Sequence, residues 1–182
     1  MRIISGKHKG RKFMPPAKMP ARPTTDIAKE ALFNILQNNF DFEEITYLDL
    51  FSGTGNIAYE LFSRGCKNIT MIDLSPICVN FQKKMAEILS MNSVSTILLG
   101  DAIQFINTCP KRFDLIFAGP PYALEIIDEL PDKVLNSRLV DEDTWFILET
   151  SHKHNFSNHP QLLQVRNYGQ THFWIFQKAM HA

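Results

Sequence analysis

The chain is poor in the features that mark secreted, metal-bound or membrane proteins. Its 182 residues hold three cysteines, Cys66, Cys78 and Cys109, an odd number with no CxxC pair. That argues against a disulfide framework and a zinc site, and buried thiols are the default. Apolar runs extend over a handful of residues, well short of the roughly 20 that cross a bilayer, and the start lacks a secretory apolar segment. The expectation is a cytoplasmic protein with no membrane contact and no metal. Repeats and low-complexity tracts are also missing. At 45% hydrophobic and 21% charged, the composition suits one globular domain with a substantial core and excludes disorder.

Acid is missing from one end. Arg2, Lys7, Lys9, Arg11, Lys12, Lys18 and Arg22, seven of the 19 basic residues, all precede the first acid, Asp26. The rest of the chain keeps 12 basic against 19 acidic residues, so a net charge of zero conceals +7 in front of −7. An unopposed basic segment suits an anionic polymer such as nucleic acid. The alternative is a solvated arm that pairs with the acidic body.

Along the chain, "MRIISGKHKGRKF" contains Gly6 and Gly10 and predicts a small hairpin appendage, followed by a proline-rich connector. In "RPTTDIAKEALFNIL", Thr25 or Asp26 can cap a helix whose apolar face is Ile27, Ala31, Leu32, Ile35 and Leu36. From Ile45 onward strand-like and helical patterns alternate. "ITYLDLF" leads to a helix from about Asn56 to Arg64, and "NITMID" to a helix from Pro76 to about Met91 with Phe81, Met85 and Ile88 as its stripe. "STILL", a helix from Ala102, "FDLIF", a helical stretch through Val134 and Leu135, and "TWFILET" continue the series. This is a βαβ succession, hence an α/β fold with a parallel sheet between helices. A hairpin around Asn167, Tyr168 and Gly169 ends it.

"LDLFSGTGNIAYE" sets Asp49 near the end of the first core strand and Gly53-Thr54-Gly55 before a helix. Such glycines permit a tight turn and close approach of a ligand to backbone N–H groups. The third glycine of a dinucleotide fingerprint is replaced by Ala58, and no Gly-Lys-Ser/Thr follows for a P-loop. Asp73 ends the next strand, 24 residues after Asp49, where an α/β nucleotide site keeps an acid for ribose hydroxyls. Asp101 ends the third strand, and "GPPY" follows the fourth. A single strand-end Asp is more often a helix cap. Three in succession, with a glycine turn, point to a ligand site at one sheet edge.

The glycine loop, Asp73, Asp101 and "PPY" resemble S-adenosylmethionine-dependent methyltransferases that modify exocyclic amino groups of bases. Taken with "MRIISGKHKGRKF" and "RPTTDIAKEALFNIL", nearly the whole chain resembles the RsmD family of guanine-N2 methyltransferases acting on small-subunit (16S) ribosomal RNA. The resemblance implies a Rossmann-like class I fold with a seven-stranded, mostly parallel sheet whose last strand is antiparallel. It implies a basic segment over residues 1–24 that contacts RNA through Arg2, Lys7, Lys9, Arg11, Lys12 and Arg22, and a methyltransferase domain over 25–182. Asp49, Phe51, Ser52, Gly53 and Gly55 would shape the methionine end of the cofactor pocket. Asp73 and Leu74 would meet ribose, and Asp101 and Ala102 adenine. The implied partner is small-subunit ribosomal RNA or a ribosomal particle, met by a monomer.

In that family the catalytic positions would be Gly119, Pro120, Pro121 and Tyr122. An exocyclic amine is a poor nucleophile because its lone pair is delocalised into the ring, so acceptors must orient its hydrogens. An Asp or Asn before Pro-Pro supplies one such acceptor, the next carbonyl a second, and the aromatic ring stacks on the flipped base. Gly119 departs from this pattern and removes the side-chain acceptor, which implies impaired turnover. Two alternatives remain at this point, an adenine-N6 or small-molecule methyltransferase, and a non-catalytic RNA-binding assembly factor. His152, His154 and His159 lack a companion acid or cysteine at metal-ligand spacing and are read as a polar surface loop. Trp145 and Trp174 are read as core.

Overall fold

Seven of the apolar runs pair into one sheet in the computed structural model, whose described residues are 1–20 and 24–178. The strands are β1 (Thr46–Leu50), β2 (Asn68–Asp73), β3 (Ser95–Leu99), β4 (Leu115–Ala118), β5 (Trp145–Thr150), β6 (Leu162–Tyr168) and β7 (Thr171–Gln177). Their order across the sheet is β3-β2-β1-β4-β5-β7-β6, and β7 runs antiparallel to both of its neighbours. The helices are α1 (Asp26–Leu36), α2 (Asn56–Ser63), α3 (Pro76–Leu89), α4 (Ala102–Thr108) and α5 (Leu130–Leu135). Caps follow the side chains expected of them. The Thr25 hydroxyl accepts from the Ala28 N–H, and Ser75 starts α3 with Pro76 in its first turn.

The pleat sorts side chains to two faces. Tyr47, Met71, Leu115, Phe117, Trp145 and Ile147 bury one face against α1, α2 and α3, and Leu48, Leu50, Ile116, Ala118, Phe146 and Leu148 bury the other against α4 and α5. Trp145 and Trp174 are both core residues.

Two helix faces differ from the sequence expectation. In α1 the buried residues are Ala28, Lys29, Leu32, Phe33 and Leu36, whereas Ile27 is 77% exposed. The helix is rotated because Lys29 is wholly enclosed and paired. Its ammonium donates to the Arg2 carbonyl (2.6 Å) and Asn56 Oδ1 (2.8 Å) and lies 3.3 Å from Glu60. Burial pulls the Lys29 ammonium below its usual range, against the opposing pull of Glu60. In α3 the inward residues are Cys78, Val79, Gln82, Met85, Ala86 and Leu89, and Ile88 is half-exposed. The expected N-terminal hairpin is present as a short antiparallel pairing centred on Arg2 and Lys12, in which the Ile3 N–H donates to the Arg11 carbonyl (2.9 Å) and the Phe13 N–H to the Met1 carbonyl (3.0 Å). Its loop is also held by α2, with the Ile4 and Ser5 N–H groups donating to the two Glu60 oxygens (2.7 and 2.9 Å).

Candidate active site

Parallel register places the ends of the strands in one row. Leu50 lies beside Ile72 and Ala118, Asp73 beside Leu99, and Ala118 beside Leu148. The residues that follow, Phe51, Gly100, Gly119 and Glu149, therefore line the carboxyl edge of the sheet, where open α/β folds bind ligands.

The turn after β1 is built from left-handed residues: Phe51 at φ 57°, Gly53 at 52° and Gly55 at 76°. A non-glycine residue held there costs on the order of 1–3 kcal/mol and is kept only where its surroundings enforce it. Here Gln82 of α3 does so in part, donating to the Ser52 hydroxyl (2.9 Å) and the Gly53 carbonyl (2.7 Å), while Ser52 donates to the Ile72 carbonyl (3.0 Å). At Gly55 the constraint is internal, since a β-carbon would fall 2.6 Å from Tyr59 and from the Met71 methyl.

Asp73 is fixed rather than merely present. Its Oδ2 accepts from the Gly53 N–H (2.7 Å) and its Oδ1 from the Ser75 N–H (2.8 Å). Each oxygen keeps a second lone pair, so a vicinal diol still fits this carboxylate. Leu74 beside it is 69% exposed, an apolar lip. Asp101 caps α4 by accepting from the Gln104 N–H (2.8 Å) and is itself exposed, with Ala102 buried behind it. Asp49 is buried, and burial raises its carboxyl well above the usual range, with the charges of Asp73 and Glu149 pushing the same way. This acidic edge suits a cationic ligand with a ribose and a flat base, and so the donor and acceptor set fits S-adenosylmethionine.

On the other side of β1, Pro120 is buried, Pro121 is exposed, and Tyr122 is 40% exposed at the mouth of a turn in which the Leu124 N–H donates to the Pro121 carbonyl (2.9 Å). Gly119 faces Phe117 and Glu149. A β-carbon at 119 would sit 3.3 Å from the Phe117 ring and 4.0 Å from Glu149 Oε2. Glu149 accepts from the Thr24 hydroxyl (2.6 Å), and burial pushes its carboxyl up to about 7.

Sequence reasoning did not single out Thr24, Asn56, Lys29, Glu60, Gln82 or Glu149. Gln82 braces the turn after β1, and the other five form a buried polar path. Glu60 meets Lys29, Lys29 meets Asn56, the Asn56 amide donates to the Thr24 carbonyl (3.0 Å), and Thr24 holds Glu149. A faint signal existed in polar residues within the otherwise apolar "NIAYELF" and "WFILET" stretches.

Of the basic residues, Arg2 pairs with Asp26 (3.2 Å), Lys7 lies 4.7 Å over the Phe62 ring, and Arg11 donates to the Ile88 carbonyl (3.1 Å). Lys9, Lys12 and Lys18 are exposed, and Arg22 lies outside the described residues. A groove of about 630 Å³ separates this segment from α3 and combines Lys12 and Lys84 with Phe13, Met14, Ile77 and Phe81. Among the described residues no group of three or more His, Cys, Asp or Glu is placed to hold a metal ion. His154 instead contacts Asp128 (2.7 Å). Among the described residues no helix is long and apolar enough to cross a membrane.

Residues 1–177 match the family described as Conserved hypothetical protein 95. The chain is 31% identical over 152 residues to YlbH of Bacillus subtilis, covering 82% of each. It is 24% identical over 182 residues to ribosomal RNA small subunit methyltransferase D of Escherichia coli, covering 98% of this chain and 90% of that one. Among solved structures, Escherichia coli yhhF superposes with a TM-score of 0.84 at 23% identity, covering 100% of this chain and 99% of that one. A Thermus thermophilus 16S rRNA N2 methyltransferase in complex with AdoMet and guanosine superposes with a TM-score of 0.69 at 19% identity, over 86% of this chain and 44% of that one.

Proposed function

The chain belongs to the RsmD family, and from that premise we propose that it methylates the exocyclic N2 amine of a guanine in small-subunit ribosomal RNA. It is an S-adenosylmethionine-dependent RNA methyltransferase with a Rossmann-like fold. The observation that carries the finer reading is the single row of strand ends, which sets the glycine turn, Asp73 and Asp101 on one side of β1 and Pro120 to Tyr122 on the other.

When bound, S-adenosylmethionine supplies an electrophilic methyl group, whose C–S bond breaks with the electron pair left on sulfur as the N–C bond forms. The protein's part is positioning and electrostatics. Asp73 would hold the ribose diol with its two remaining lone pairs, Asp101 and Ala102 would border adenine, and Asp49 with the Phe51–Gly55 turn would bound the cationic end. Pro120 and Pro121 stiffen the loop and fix the direction of its carbonyls, and Tyr122 offers a ring for the flipped base. Residues 1–24 would grip phosphates, and 25–182 would carry the transfer.

Gly119 gives the amine no side-chain acceptor, and that observation favours a second reading, an RNA-binding protein without turnover. Labelled cofactor separates the two. The proposed function predicts transfer of label to small-subunit RNA and not to large-subunit RNA. Cofactor binding with no transfer to either would favour the second reading.

A further inference from the structure

Resting on the proposed reaction, we propose that Glu149 presents to the target amine the carboxylate that residue 119 lacks. Gly119 and Glu149 are sheet neighbours one step beyond the Ala118–Leu148 pair. By the alternation of the pleat they share a face with Phe117 and Ile147. The Glu149 carboxylate thus borders the volume that an aspartate side chain at 119 would occupy, with Oε2 4.0 Å from that side chain's β-carbon position. The glycine itself puts no side-chain atom there, and a β-carbon would press on the Phe117 ring at 3.3 Å.

The carboxylate is built to stay in place. Thr24 donates to Oε2, and Thr24 is itself held through its carbonyl by Asn56, which Lys29 engages in turn. One hydroxyl donor leaves most of the acceptor capacity of a carboxylate unused, and Glu149 forms no ion pair among the described residues. The titratable group that shares its surroundings is Asp49 on β1, another acid. Two N–H donors of an exocyclic amine are a complementary partner for such a group.

In its ionised form Glu149 accepts one amine hydrogen and turns the nitrogen lone pair toward the methyl carbon. After the N–C bond forms, the nitrogen sheds that proton to Glu149. The N–H bonding pair stays on nitrogen, a carboxyl O–H forms, and solvent later takes the proton.

The test compares single-turnover transfer from labelled S-adenosylmethionine to unmethylated small-subunit RNA for wild type, Glu149→Gln, and Glu149→Gln combined with Gly119→Asp. Glutamine keeps an oxygen for Thr24, so a strut between the connector and the sheet would survive it. The expected loss in Glu149→Gln is about 10²–10³ in rate, with cofactor affinity unchanged by calorimetry. The double variant is expected to recover at least about tenfold, since the carboxylate returns from the neighbouring strand. The wild-type rate should rise with pH through about 7 and lose that step in Glu149→Gln. A Glu149→Gln rate equal to wild type, or a loss that Gly119→Asp leaves unrecovered, overturns the assignment. A second readout does not depend on turnover. In the presence of S-adenosylhomocysteine, guanosine should lower the carboxyl carbon-13 NMR titration midpoint of Glu149, because amine donors favour the charged form. If wild type transfers nothing, the proposed reaction fails, and an unmoved midpoint then sinks the role of Glu149 as well.

Discussion

A carboxyl group buried at a sheet edge ties the stability of the fold to pH. Glu149 titrates near 7 in the folded chain against an ordinary 4.5, so its neutral form is what folding favours. Its contribution is fully present below about 4.5 and is lost as pH rises toward about 7. The size is of the order of 3 kcal/mol, from 1.36 kcal/mol per pH unit. Glu149→Gln is expected to remove this slope, so that urea unfolding at pH 5 and pH 8 differs less for the variant than for wild type. Equal slopes would place the perturbation elsewhere. Asp73 gives the complementary prediction for binding. Asp73→Ala removes the expected ribose acceptor and also leaves the Gly53 and Ser75 N–H groups without their partner. The expected loss of S-adenosylmethionine affinity is roughly 1.5–3 kcal/mol by calorimetry. Unchanged affinity in a folded variant would remove Asp73 from the site.

At the scale of elements, the path from Glu60 through Lys29, Asn56 and Thr24 to Glu149 joins α2, α1, the connector and β5. Removing one partner of an enclosed ion pair typically costs 3–5 kcal/mol because the other charge stays buried. Lys29→Met should therefore destabilise the chain by about that amount in urea unfolding, and a change well under 1 kcal/mol would mean that Glu60 is satisfied by Ile4, Ser5 and Arg64 alone. The same path explains what the sequence could and could not reveal. Strand and helix alternation was legible because period-2 and helical patterns report burial directly, and Asp73, Asp101 and "PPY" were legible because they stand at strand ends. The face of α1 was not. Apolar spacing assigned Ile27, Ala31 and Ile35 inward, but a polar network that closes only in three dimensions rotated the helix toward Lys29. Glu149 was hidden for a related reason, since within "TWFILET" it reads as a late strand residue until β4 brings Gly119 beside it.

At the scale of the molecule, the charge asymmetry is a gradient of availability as well as of sign. All of the basic residues of the described segment are exposed, but Arg2 pairs with Asp26 and Lys7 lies over Phe62, whereas Lys9, Arg11, Lys12 and Lys18 meet no acid or ring among the described residues. About four phosphate contacts give a log–log salt slope for RNA affinity of roughly −3 to −4. Neutral substitutions at Lys9, Arg11 and Lys12 should flatten that slope and leave cofactor affinity intact. An unaltered slope would make the segment a solvated arm. The central claim is the reaction itself, and nucleoside mass spectrometry of small-subunit ribosomal RNA tests it most directly. RNA lacking the modification, incubated with the protein and S-adenosylmethionine, is expected to gain N2-methylguanosine. A gain of N6-methyladenosine, or no methylated nucleoside at all, would contradict the account.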